Sequence, residues 1–97
     1  MFAIRMLENG DVVVSGRFDA SRVDEAYLVL DRVKGTVRVD MKELEYISSA
    51  GLGALLRTQK RLADAGQSLI LTNMSKMVRD VFRIARFDLI FRIEEQA

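Results

Sequence analysis

The chain has 97 residues, of which 49% are hydrophobic and 30% charged, and its 15 basic and 14 acidic side chains leave a formal net charge of +1. This is the composition of one globular domain, expected to run over residues 1–97 around a single core, with no electrostatic footprint for nucleic acid or an anionic membrane. The absence of cysteine and histidine excludes disulfides, thiol nucleophiles, thiolate or imidazole metal sites and a Ser-His-Asp triad.

The N-terminus reaches Glu8 and Asn9-Gly10 before an apolar run of signal-peptide length develops. No stretch approaches the roughly 20 apolar residues of a membrane helix, so a cytoplasmic protein without membrane insertion is expected. There is no proline, and turns fall to glycine, asparagine and aspartate. Residues 2–7 and 11–15 read as strands, and Asn9-Gly10 between them suits the positive φ of a tight hairpin. Val23, Ala26, Tyr27 and Leu30 follow helical spacing, with Ser21 and Asp24 resembling a capping box and Gly35 fitting the helix stop. Residues 36–41 alternate Val37 and Val39 with polar side chains, as a strand does.

A second helix is predicted over 50–65. Leu52, Leu55, Leu56, Gln59, Leu62 and Ala63 line one face. Arg57, Lys60, Arg61 and Asp64 line the other, as a solvated surface, and Gly66 caps the end. Within 68–72, Leu69-Ile70-Leu71 is apolar on both sides, as in an inner strand. Ser75 is the expected N-cap of a third helix, with Met74 stapled against Val78 or Arg79 and an apolar face of Val78, Val81, Phe82 and Ala85. A last strand is predicted over 89–93. The order β-β-α-β-α-β-α-β implies an α/β domain. Its sheet is mixed but mostly parallel, with an N-terminal β-hairpin, three main helices and right-handed crossovers. The methionines read as core filler.

Three motifs carry a more specific signal. After the strand ending at Met41 comes a short acidic stretch, Lys42-Glu43-Leu44-Glu45, then an aromatic-apolar pair, Tyr46-Ile47. Ser48-Ser49-Ala50-Gly51-Leu52-Gly53 then opens the second helix. Gly16-Arg17-Phe18-Asp19 precedes the first helix, and Arg86-Phe87-Asp88-Leu89-Ile90-Phe91 follows the third. In this order and spacing, over nearly the whole chain, they resemble the STAS domain of bacterial anti-sigma factor antagonists.

That resemblance implies a non-enzymatic regulator that needs no cofactor or metal. Its partners would be an anti-sigma factor, itself a serine protein kinase, and a protein phosphatase that reverses the modification. Ser49 corresponds to the phosphorylated serine. Asp19, Ser48, Ser49, Ala50, Gly51 and Gly53 would face the partner. Ser48 stands where the family carries aspartate, which removes a negative charge and makes Ser48 a rival acceptor. The resemblance also allows an alternative, a STAS subunit of a lipid-transport ATPase complex that is not phosphorylated, and more distantly a nucleotide sensor.

Chemistry alone reads several of these residues differently. Ser48 or Ser49 could simply cap the helix, contributing about 1 kcal/mol. The same helix N-terminus would tolerate a phosphate, because its free N–H groups and dipole favour anions. Gly51 and Gly53 each cost a helix up to about 1 kcal/mol relative to alanine. They would serve either the close approach of a partner or close packing on the sheet. Asp19 reads equally well as a turn or capping carboxylate. No Walker-type spacing follows the glycines.

Overall fold

The structure, a computed structural model, describes residues 1–95. Among them are strands β1 (Phe2–Met6), β2 (Val12–Phe18), β3 (Val37–Ile47), β4 (Leu69–Thr72) and β5 (Arg92–Glu94). The α-helices are α1 (Val23–Leu30), α2 (Ser49–Ala63) and α3 (Lys76–Ile84), with short 3₁₀ turns at Ala20–Arg22 and Phe87–Leu89. The strands form one sheet in the order β1-β2-β3-β4-β5. The β1–β2 pair is antiparallel and every other pair is parallel, as the predicted alternation requires.

Alternate strand residues face one core. Val12, Val14 and Phe18 of β2, Val37, Val39 and Met41 of β3, and Leu69 and Leu71 of β4 join a single buried cluster. Ala26 and Leu30 of α1, Leu52, Leu55 and Leu62 of α2, and Val78 and Phe82 of α3 complete it, so the helices cover one face of the sheet. Each fully buried aliphatic or aromatic side chain of this kind contributes about 1.5–3 kcal/mol through removal from water. The opposite face carries Arg38 beside Ile70 and Asp40 beside Thr72.

Several boundaries differ from the sequence expectation. The hairpin is not a two-residue turn: Leu7 and Asp11 pair through Leu7 N–H to Asp11 O at 2.7 Å, and of Asn9-Gly10 only Gly10 has positive φ. Asn9 acts through its side chain, whose Oδ1 accepts from Asp11 N–H at 2.9 Å. The helix α1 is not opened by a Ser21–Asp24 capping box. Asp19 caps the 3₁₀ turn before it, and Ser21 is the donor. The helix ends at Leu30, five residues before Gly35, whose N–H goes to Gln67 Oε1 at 3.2 Å.

The largest difference is β3, predicted over 36–41 but continuing to Ile47. The residues expected as an acidic loop are strand. Two register shifts against β2 explain this: Val13 and Ser15 oppose Asp40 and Glu43, and Gly16 and Arg17 oppose Leu44 and Tyr46. Each inserts one extra residue in β3, so the buried positions run Val37, Val39, Met41, Leu44, Ile47 and strict alternation is lost. Asp40 Oδ1 accepts from Lys42 N–H at 3.0 Å within the first bulge.

The last strand forms at Arg92–Glu94 rather than over 89–93, because Arg86 turns left-handed (φ 64°) and Phe87–Leu89 coil into a 3₁₀ turn. This places Phe91 5.7 Å from the Phe82 ring, edge to face. At α3 the expectation holds at its start: Ser75 Oγ accepts from Val78 N–H at 3.2 Å. Its Ala85 is exposed. Of the methionines, Met41 and Met74 are core residues, while Met77 is exposed.

Candidate functional site

The start of α2 is built where β2 and β3 end together. Phe18 lies opposite Ile47 in the parallel ladder, and one residue on, Ser48 N–H donates to Phe18 O at 2.9 Å. Ser48 keeps extended backbone (φ −91°, ψ 173°) and is the N-cap. Its Oγ accepts from Gly51 N–H at 3.3 Å and its carbonyl from Leu52 N–H at 2.9 Å. Capping therefore belongs to Ser48, which is half-buried. Ser49 is the first helical residue, exposed, and among the described residues its hydroxyl takes no part in a hydrogen bond.

The two glycines divide. At Gly51 a Cβ would lie 2.7 Å from Phe18 O, 2.9 Å from Ile47 Cγ1 and 3.1 Å from Phe18 Cγ. Close packing accounts for it. At Gly53, nothing lies within 4 Å of the position a Cβ would take, and the residue is exposed. Ala50 is half-buried.

Asp19 stands at the same edge of the sheet, one residue past Phe18. Its Oδ1 accepts from Ser21 Oγ at 2.6 Å and from Ser21 N–H at 3.0 Å. The Ser21 hydroxyl bond, helped by the backbone bond and by Arg17 and Arg22 and opposed by desolvation, holds the Asp19 carboxyl below its ordinary value. The capping role is thus occupied by Asp19, and the turn it stabilises packs against α2. The structure brings Asp19, Ser48, Ser49 and the two glycines to one end of the fold.

Tyr46 and Ile47 point to opposite faces. Ile47 is buried beneath Gly51, while Tyr46 lies under Arg17, whose guanidinium carbon is 4.3 Å from the ring centroid. The sequence reading did not single out this pair, because the β2–β3 register that joins it depends on the bulges. The basic side of α2 is also less free than expected. Arg57 stacks 3.9 Å over the Tyr27 ring and pairs with Asp31 at 3.2 Å. Arg61 donates to the Leu30 and Val33 carbonyls at 2.9 and 3.0 Å, capping the end of α1. On the apolar side, Ala63 is exposed and Thr58 is buried instead, its hydroxyl donating to Ala54 O at 3.2 Å. Gln59 is half-buried and accepts from Leu69 N–H at 2.8 Å.

Among the described residues no cluster of three acidic side chains could hold a metal ion, and no helix is long and apolar enough to cross a membrane.

A one-faced, mostly parallel sheet with a small-residue helix start exposing a serine defines the class, and the comparisons agree. The family model described as "Mlab, STAS domain" matches residues 4–92, and the chain belongs to the STAS family. It is 41% identical over 71 residues to the "Putative anti-sigma factor antagonist BtrV" of Bordetella bronchiseptica, covering 71% of this chain and 61% of that relative. The chain thus spans less than two thirds of that protein. It is 32% identical to the anti-sigma-B factor antagonist of Listeria monocytogenes, covering 87% of this chain and 77% of that one. The fold also matches the Bacillus cell fate determinant SpoIIAA in its phosphorylated form. The TM-score is 0.73 at 21% identity, over 100% of this chain and 92% of that one.

Proposed function

We propose that this protein is an anti-sigma factor antagonist that binds a serine-kinase anti-sigma factor through the start of α2 and is switched off by phosphorylation of Ser49. The observation that carries this reading is the division of labour between the two serines. Ser48 is half-buried and spends its hydroxyl on the cap, while Ser49 is exposed at the first helical position. A kinase reaching this edge meets the Ser49 Oγ without dismantling the helix start. The relatives named as antagonists support the same reading.

Phosphorylation would add about 1.5–2 negative charges at Ser49. The first turn of α2 tolerates that charge, since its N–H groups and dipole favour anions. Ser48 is neutral, so no cap carboxylate already offsets the dipole. The fold therefore survives modification, and the cost appears at the interface. A dianion pressed against a complementary surface must be desolvated there, which disrupts the contact. A phosphatase reverses the switch, and both states act in the cytoplasm by binding rather than by catalysis.

Ser49→Glu is expected to keep the fold and lose binding to the purified serine-kinase anti-sigma factor of the same organism, measured by calorimetry beside the wild type. Equal binding by the two proteins would remove the switch. Intact-mass analysis of protein from its native cells should show one added phosphate, placed on Ser49 by fragmentation. Co-purification with a transport ATPase, and no phosphate, would instead favour the lipid-transport subunit.

A further inference from the structure

Two charged side chains just past α3 stand apart from their neighbours. From Lys76 to Glu95, every other charged side chain is in an ion pair. Among the described residues Arg86 and Asp88 are in none, although they lie two positions apart and carry opposite charge. Arg86 also holds left-handed backbone (φ 64°, ψ 18°). It follows the α3 C-cap, a position where glycine is usual because it has no Cβ to clash. An exposed arginine kept in that conformation points to a use for its side chain.

Apolar side chains flank this pair. Ile84 is 81% exposed, Leu89 77% and Ile90 45%, and Ala85 is exposed as well. Single apolar residues are ordinary on a surface, but these fall within one stretch of seven, residues 84–90. The 3₁₀ turn at Phe87–Leu89 packs against α3, which gathers them into one patch that includes a cation and a carboxylate.

Such a patch is complementary to itself. Across a twofold axis, a residue that meets a second residue of the other copy is met by that same residue in return. Apolar side chains then cover apolar side chains, and the Arg86 of each copy meets the Asp88 of the other. We infer that the end of α3 is the contact of a homodimer, closed by this reciprocal Arg86–Asp88 pairing. Four apolar side chains a side fall well short of the roughly 20–30 residues of a standard stable interface, so the dimer is transient and depends on concentration. Its contact lies far from Ser49. Strands β3, β4 and β5 are parallel, so α2 starts at the edge where β3 ends, while α3 finishes at the opposite edge, where β5 begins. Both copies keep the start of α2 open, and the inference does not rest on Ser49 as the acceptor.

Sedimentation equilibrium of the protein from about 1 μM to about 1 mM, the range of weak association, should show monomer passing into dimer. Arg86→Asp and Asp88→Arg each set like charges against one another and should weaken the dimer at least about tenfold, at unchanged circular dichroism. Mixed in equal amounts, the two variants should form a heterodimer near wild-type affinity, because each supplies the charge the other lacks. Ile84→Ser should weaken the dimer by removing its apolar centre. Arg86→Gly should weaken it too, while the unfolding temperature of the dilute monomer holds or rises, since glycine takes left-handed backbone freely. A wild-type protein still monomeric at about 1 mM would overturn the inference. So would a dimer that both charge reversals leave unchanged, or a mixture that associates no better than either variant alone.

Discussion

Replacing Gly51 by alanine measures how closely α2 is seated on the sheet. The added Cβ would lie 2.7 Å from the Phe18 carbonyl oxygen and 2.9 Å from Ile47 Cγ1, both well inside ordinary van der Waals contact. Neither neighbour can swing away. Phe18 and Ile47 are buried, and the same Phe18 carbonyl accepts the Ser48 N–H bond at 2.9 Å. Forcing a methyl group into a packed site costs about 1–3 kcal/mol. Loosening the Ser48 bond adds up to about 1 kcal/mol. Better helix propensity returns about 1 kcal/mol. The terms leave a loss of up to about 3 kcal/mol, with a central value of about 1.5 kcal/mol, or a fall in Tm of about 6–12 °C at that central value for a domain of this size. Urea titration should show a lower midpoint at unchanged slope, the mark of a stability change without a change in unfolded-state compactness. A Gly51→Ala protein as stable as wild type would refute the close seating of α2 and, with it, the structural explanation of this glycine.

Two further outcomes follow from the same edge of the sheet. Ser48→Ala removes the α2 cap and should lower stability by about 1 kcal/mol, read as a urea midpoint, while intact-mass analysis still finds kinase-dependent phosphate. Loss of the phosphate in Ser48→Ala but not in Ser49→Ala would make Ser48 the acceptor. At Asp19 the folded carboxyl is held below its ordinary value, chiefly by the Ser21 hydroxyl, so the folded protein takes up this proton less readily than the unfolded chain. Its contribution is complete above the unfolded value, near pH 4, and disappears as pH falls through the lower folded value. Asp19→Asn should therefore lose less stability than wild type between about pH 5 and pH 2. Parallel urea midpoints for the two proteins across that range would show that Asp19 is not part of the acid response.

Much of this protein was legible in its residues. Helical spacing located α1, α2 and α3, apolar-rich runs either side of Asn9-Gly10 located β1 and β2, alternation located β3 up to Met41, and Ser75 was recognisable as a cap because its partners lie within one turn. Those signals are local, set by the 3.6-residue and 2-residue periods of the backbone. Ser49 and the glycines after it were marked by the motif they share with the STAS family. What the residues alone left open depended on contacts distant in sequence. The two bulges hid the second half of β3, since each extra residue breaks the alternation that a strand is recognised by. Whether Ser48 or Ser49 caps α2 turned on the Phe18 carbonyl, which fixes Ser48 in extended backbone from a strand thirty residues earlier. The same carbonyl, with Ile47, separated two glycines that look alike in the sequence. Gly51 is enclosed by the sheet and Gly53 faces open space, a distinction that exists only once β2, β3 and α2 meet.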